Sequence, residues 1–412
     1  MSTEITRKGS QGDVRGASPP DVSEAHRSGD ELLLDADSET EPVLSLVMPT
    51  LNEEEGIEEC IGRMKNALEE LQITGEIVVS DSSTDRTPEI AESMGAIVVE
   101  PDKPGYGYAY QYAFDHARGD AIAIGDADTT YDFEELPKLY ELVANGDADM
   151  AMGSRLNGEI KDGAMPPLHQ YVGNPLLTKF LNVFYGAGVS DAHSGMRVLS
   201  KEAWEQMECD SPGMEFASEM IMEAGARDLT IEERPITYHE REGEATLESF
   251  QDGWRHVRFM LVNAPGYLFS IPGILMSMVG AFVMLAAYAD VSIGATGFGP
   301  HSMVLGSFLV LVGYQVTSLG VFATVVGDPI KKPNDPFTNW LVQNVTLERG
   351  VTAGAILFGI GAAYAGVMVS QWALSGFTEL PFLLGDIAAL TGMILGLQMV
   401  FSAFFLSTAN RC

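Results

Sequence analysis

The sequence predicts an α/β domain built on a mostly parallel sheet, followed by an all-α transmembrane domain of four helices. Three observations predict it. Short apolar runs alternate with helical segments from residue 43 to residue 152, four long apolar stretches fill the last third, and most of the charge lies ahead of them. The 412 residues suffice for a globular domain of about 200 residues and a membrane domain besides.

Residues 1–42 hold Ser, Gly, Pro and charge with little apolar content, which predicts a disordered acidic tail. The tail has no apolar core of signal-peptide length, so the N-terminus is expected to stay in the cytoplasm. From residue 43 the pattern changes. Runs at 43–48, 76–80, 96–99, 121–124 and 148–152 read as strands, and 55–71, 88–94, 106–118 and 133–144 as helices. Such alternation implies a parallel sheet covered on both faces. Ligands of these sheets sit beyond the carboxyl ends of the strands. Polar clusters fall there, at 49–54, 81–86 and 125–130. This domain is expected over residues 43–245.

Residues 246–267 read as a juxtamembrane linker. Leu247, Phe250, Trp254, Val257 and Leu261 recur at helical spacing, with Arg255 and Arg258 among them. Two readings stand: an amphipathic helix lying on the bilayer, or a connecting helix packed on the first domain. The membrane domain covers 268–412. Its apolar stretches, about 268–289, 303–326, 351–374 and 382–406, each exceed the ~20 residues that cross a bilayer. Arg255 and Arg258 precede the first span, Lys331, Lys332 and Arg349 follow the second, and Arg411 follows the fourth. The two other loops carry no Lys or Arg. Basic residues mark the cytoplasmic side, so a multi-pass protein of the cell membrane is expected, with its first domain and both termini cytoplasmic.

Lys plus Arg number 24 against 58 Asp plus Glu, a net charge of −34. So acidic a surface excludes nucleic acid, which needs basic patches, and is repelled by anionic lipid. It suits concentrated salt, where screening falls to a few Å and self-repulsion costs little. A halophilic source, an archaeon, is the expectation. The three cysteines, Cys60, Cys209 and Cys412, have no metal-site spacing and read as inert thiols.

The segment Gly125-Asp126-Ala127-Asp128-Thr129-Thr130 directly follows a predicted strand. Two carboxylates one residue apart can hold Mg²⁺ or Mn²⁺, which prefer oxygen ligands and leave places for phosphate oxygens. A solvated turn is the competing reading. Other polar motifs surround it in order. They are Pro49-Thr50-Leu51-Asn52-Glu53-Glu54, Ser80-Asp81-Ser82-Ser83-Thr84-Asp85, Gly153-Ser154-Arg155, Asp191-Ala192-His193-Ser194-Gly195-Met196-Arg197 and Tyr238-His239-Glu240-Arg241. Lys103-Pro104-Gly105-Tyr106-Gly107 opens a helix, where small residues let a diphosphate approach the N-terminus; a flexible turn is the alternative. Glu215 and Glu219, one turn apart, read as sugar-facing or solvated.

This ordered set resembles the family 2 inverting glycosyltransferases of GT-A fold, specifically the dolichyl-phosphate mannose or glucose synthase-like branch. The resemblance covers roughly residues 43–245. The family's Asp-Asp-Gly-Ser-x-Asp appears with Ser80 in place of the first Asp and Ser82 in place of the Gly. The resemblance implies that Pro49, Thr50, Asn52 and Glu53 line a nucleoside pocket, with Asp81 contacting the nucleotide. It implies that Asp126 and Asp128 hold the metal and the donor diphosphate. Arg155, Arg197 and Arg241 would face the acceptor phosphate or that diphosphate. Asp191 would be a base, or would orient an arginine or sugar hydroxyls, because an acceptor phosphate is already ionised near pH 7. The expected activity is transfer of glucose or mannose from a UDP- or GDP-hexose to a polyprenyl (dolichyl) phosphate with inversion. It would supply lipid-linked sugar for glycoprotein or cell-surface glycans. The alternatives are a processive polysaccharide synthase, or a non-catalytic carrier or scaffold.

Overall fold

The computed structural model describes residues 27–241, 249–293, 296–326, 346–378 and 384–409, together with 338, 340 and 344. Leu247, Lys331, Lys332, Arg411 and Cys412 lie outside the described residues, as do the side chain of Phe250 and residues 1–26 of the expected tail.

The rest of that expected tail is ordered. Helix α1 (Gly29–Leu32) places Leu32 fully buried in the core, and Leu33 bridges Gly75. Arg118 fastens the following turn by donating to the carbonyls of Asp35 and Ser38. The run Leu32-Leu33-Leu34 supplies the apolar anchor that the surrounding polar composition obscures.

Seven strands form the sheet: β1 (Leu44–Thr50), β2 (Gly75–Asp81), β3 (Ile97–Val99), β4 (Ala121–Ile124), β5 (Met150–Ile160), β6 (Arg197–Ser200) and β7 (Ile231–Tyr238), in the order β3-β2-β1-β4-β6-β5-β7. All pairings are parallel except those of β6 with β4 and β5. Side chains alternate between two cores. Leu44, Leu46 and Met48 of β1 face α2 (Ile57–Leu71) and α5 (Pro137–Ala144). Val47, with Val78 and Ile122, faces α4 (Tyr106–Phe114), α6 (Asn174–Tyr185) and α8 (Phe216–Ala226). The order runs outward from β1 through β2 on one side and through β4 on the other. That reversal opens a crevice beyond the ends of β1 and β4, where ligands of such sheets bind.

The described residues hold four helices long and apolar enough to cross a membrane, at Gly266–Tyr288, Pro300–Val326, Leu347–Leu374 and Leu384–Ala409. They pack as two hairpins. In the first, a Cβ on Gly280 would stand 2.6 Å from the Gly306 carbonyl oxygen, so the helix backbones touch. Helix α9 (Ser249–Val262) joins the parts. Met260 is fully buried and Val257 and Leu261 pack on the first domain's core, while Trp254 faces outward. The Phe184 ring on α6 stacks on Tyr267 of the first span at 4.3 Å, and Tyr267 Oη donates to the Val183 carbonyl at 3.1 Å.

Candidate active site

The loops after β1 and β2 are laced together. Thr50 and Asp81 are register partners, and Thr50 Oγ1 donates to Asp81 Oδ1 at 2.6 Å. Asp81 also accepts from the Ser83 amide and hydroxyl. Asn52 has a φ of 59°, a left-handed conformation that Asn tolerates, and its Oδ1 accepts from the Thr84 amide at 2.8 Å. The Glu53 amide donates to Thr87 Oγ1. Pro49 lies half-buried where β1 ends. Beside these loops opens a cleft of about 670 Å³, lined by Asp81, Ser83, Val98, Glu100, Pro101 and Lys103. Lys103 is exposed at its rim.

Strand β4 delivers the two aspartates. Gly125 lies so close to Phe133 that a Cβ would fall 2.6 Å from the ring. Asp126 Oδ1 accepts from the Tyr106 hydroxyl at 2.8 Å. Asp128 Oδ1 accepts from the Thr130 amide and hydroxyl, at 3.2 and 2.5 Å. Asp128 Oδ2 faces Arg241 Nη2 at 3.3 Å, and the same Nη2 lies 3.5 Å from Glu53 Oε1. Burial, and then the neighbouring Asp128, push the Asp126 carboxyl up to about 6. Burial pushes Glu53 up to about 7 against the pull of Arg241.

These residues fit a hard divalent ion. Each aspartate keeps one oxygen outside its main-chain and hydroxyl hydrogen bonds. Among the described residues no group of three or more His, Cys, Asp and Glu could hold a metal alone. An ion here would take its remaining ligands from water and a diphosphate, as Mg²⁺ and Mn²⁺ do.

The arginines differ in what they are free to do. Arg155 on β5 forms a buried pair with Asp191, Nε to Oδ2 at 2.8 Å and Nη2 to Oδ1 at 2.9 Å, and the Arg155 amide adds a third bond. Burial alone would raise the Asp191 carboxyl, but the Arg155 charge and hydrogen bonds hold it below its ordinary range. Both Asp191 oxygens therefore accept from Arg155 in this geometry. Arg197 is held in another way. It is fully buried, and Nε, Nη1 and Nη2 donate to the carbonyls of Ser194, Ala217 and Ala192. These bonds stitch the 191–197 loop to α8 and hold the guanidinium on three main-chain oxygens. Glu219 is buried and accepts from the Ser211 amide, so it is not a solvated surface acid.

Sequence reasoning missed three groups. Tyr106 holds Asp126, although it stands in the 103–107 segment noticed for its glycines. Tyr131 Oη accepts from the Gly195 amide at 2.6 Å, bringing the 191–197 loop against Asp126. Ser218 Oγ stands within hydrogen-bond reach of both His193 Nε2 and His256 Nδ1, at 3.2 and 3.0 Å, tying that loop to α9.

Residues 45–207 match the family model for glycosyl transferase family 2, and residues 321–410 match that for the glycosyltransferase family 2 C-terminal transmembrane region. The chain is 62% identical over 401 residues to the low-salt glycan biosynthesis hexosyltransferase Agl6 of Haloferax volcanii, covering 97% of this chain and 96% of that protein. It is 34% identical over 211 residues to a dolichyl-phosphate hexose transferase of the same organism, covering 51% of this chain and 89% of that one. Glucosyl-3-phosphoglycerate synthase from Mycobacterium tuberculosis, solved with Mn²⁺, UDP and glucosyl-3-phosphoglycerate, aligns at 23% identity and a TM-score of 0.44 over 54% of this chain and 80% of that one. The full-length relative and the two family regions in order agree with the sheet and the four apolar helices: the chain belongs to glycosyl transferase family 2, a GT-A domain followed by the family's C-terminal transmembrane region.

Proposed function

We propose that the chain transfers a hexosyl group from a UDP- or GDP-hexose to a polyprenyl phosphate such as dolichyl phosphate, at the cytoplasmic face of the cell membrane. One observation carries the reading. The Asp126–Asp128 pair is joined through Tyr106 to the segment bordering the 670 Å³ cleft, and through Gly195 to the loop of the Arg155–Asp191 clamp. The relatives' names, a glycan biosynthesis hexosyltransferase and a dolichyl-phosphate hexose transferase, support the same chemistry.

In this reading the nucleoside lies along Pro49, Thr50, Asn52, Glu53 and Asp81, with Lys103 at the rim near the diphosphate. Asp126 and Asp128 hold Mg²⁺ or Mn²⁺, which when bound neutralises the charge developing on the leaving diphosphate. Arg155 meets the acceptor phosphate through Nη1, the edge that Asp191 leaves open. An acceptor phosphate oxygen attacks the anomeric carbon as the bond to the diphosphate oxygen breaks. The sugar inverts and a nucleoside diphosphate departs. The acceptor has a second pKa of about 6, so near neutral pH it brings no proton to remove.

The acceptor is met at the bilayer. Leu168, Tyr171, Val172 and Leu176 stand 52–73% exposed along one ridge, and α6 continues from it to the first span. We place this ridge in the membrane interface, where an exposed apolar patch is stabilised. Membranes given labelled UDP-glucose or GDP-mannose, dolichyl phosphate and Mg²⁺ or Mn²⁺ should form a single-sugar lipid, β-linked from an α-linked donor. Asp128→Ala should abolish it. Long polymer would instead indicate a processive synthase, and metal-independent transfer or full activity in Asp128→Ala would refute the proposed site.

A further inference from the structure

Arg241 occupies an unusual position for a residue expected to grip phosphate. Its Nη2 lies against Asp128 Oδ2, the oxygen that Thr130 leaves free, and against Glu53 Oε1. It neutralises part of a crowd of three carboxylates, Glu53, Asp126 and Asp128. Its hold is looser than that of the other site arginines. The contacts are 3.3 and 3.5 Å, against 2.8 and 2.9 Å for Arg155 on Asp191. Its side chain is 28% exposed against 7%, and its Nε is buried without a hydrogen bond. The backbone beside it is fixed, because the His239 amide donates to the Thr130 carbonyl at 2.9 Å. A cation is thus delivered to the aspartate pair and left exchangeable.

We propose that Arg241 is the resident counter-ion of the carboxylate site, holding Asp128 and Glu53 until a divalent ion displaces it, and then turning to the diphosphate that arrives with that ion. This rests on the metal reading of Asp126 and Asp128. A dication interacts more strongly than a guanidinium with the same carboxylates, and a released guanidinium is suited to a phosphate oxygen pair. Arg241 therefore opposes the ion when it comes alone and assists it when it comes with a nucleoside diphosphate.

The test is Mn²⁺ binding to the full-length, detergent-solubilised protein in molar KCl, read by electron paramagnetic resonance of free Mn²⁺, with and without UDP or GDP. Arg241→Gln should bind Mn²⁺ alone about tenfold more tightly than the wild type, and should lose about tenfold of the enhancement given by the nucleotide. An impaired fold cannot produce that opposite pair of shifts. Equal or weaker binding of Mn²⁺ alone by Arg241→Gln, or no binding by either protein, overturns the inference. Asp128→Asn separates the two levels. If it abolishes Mn²⁺ binding while Arg241→Gln fails to raise it, the counter-ion role falls and the metal site stands. If Asp128→Asn leaves Mn²⁺ binding intact in both backgrounds, the metal site itself is wrong and the inference falls with it.

Discussion

The substitution Asp191→Asn distinguishes a clamp from a base. The carboxylate is fully buried and receives three hydrogen bonds from Arg155, at 2.8, 2.9 and 3.0 Å. Asparagine keeps the shape and one acceptor oxygen, but it turns an NH₂ donor toward a guanidinium N–H. It also leaves the Arg155 charge, only 7% exposed, without a counter-ion. Removing one partner of a buried pair costs about 3–5 kcal/mol. Because the pair is buried, molar salt should not screen the loss away. At about 2–4 °C per kcal/mol for a domain of this size, the melting temperature should fall by about 6–20 °C. The measurement is thermal unfolding of detergent-solubilised protein in molar KCl, run beside the transfer assay. Arg155 depresses the Asp191 carboxyl, so its contribution is fully present above the unfolded value of about 3.9 and is lost only as pH falls through the lower folded value. The loss in Asp191→Asn should thus be constant across the neutral range. A variant that melts at the wild-type temperature yet has lost transfer would refute the clamp and assign Asp191 as a base.

Tyr106→Phe removes the hydroxyl that donates to Asp126 but keeps the ring against Tyr110; a bond to a charged acceptor is worth ~1.5–3 kcal/mol of stability, so the melting temperature should fall by about 3–12 °C and kcat/KM should fall with Asp126 left unheld. Burial, and then the neighbouring His256, push His193 down to about 3. The folded protein therefore binds fewer protons than the unfolded chain, and stability present above pH about 6.5 should be lost as pH falls toward 3. His193→Gln should flatten that slope in melting curves taken at fixed salt, whereas an unchanged slope would remove His193 from the account. Tyr171→Glu with Leu176→Glu should leave transfer to a short, soluble prenyl phosphate within about twofold but should sharply reduce transfer to dolichyl phosphate in vesicles.

Four of the five strands that the sequence announces begin in residues buried on both faces, and the fifth, β3, is a half-buried edge. Leu46–Met48 and Ile77–Val79 read as continuous apolar runs because helices cover both sides of them. The two unannounced strands break that pattern for physical reasons. Strand β6 is four residues long and opens with Arg197, whose burial is affordable only because three carbonyls meet its guanidinium. Strand β7 carries Glu232, Glu233, Arg234 and Pro235, a composition that argues against a central strand but suits the sheet edge that it occupies. The site divides in the same way. The Asp126–Asp128 pair is legible because a strand end fixes it locally. The Arg155–Asp191 pair joins residues 36 apart, and no local spacing encodes that meeting. Glu219 misleads because acids are so common in this chain that its buried bond to the Ser211 amide leaves no mark on the pattern.

Scarce cations explain the arrangement of the three arginines. With 58 acids against 24 bases, an unconstrained guanidinium would settle on the nearest carboxylate. The fold constrains each arginine to a different degree. Arg197 has all its nitrogens on carbonyls and serves the loop. Arg155 is locked by Asp191 on two nitrogens and leaves Nη1 as a fixed edge. Arg241 touches its carboxylates at longer range and remains exchangeable. On the proposed reading, these degrees match what transfer demands. The attacking phosphate must be held at one angle to the anomeric carbon, which calls for a cation that does not move. The leaving diphosphate must be gripped and released in every turnover, which calls for one that does. A second rigid clamp would hold the product, and a second mobile arginine would leave the acceptor unaligned.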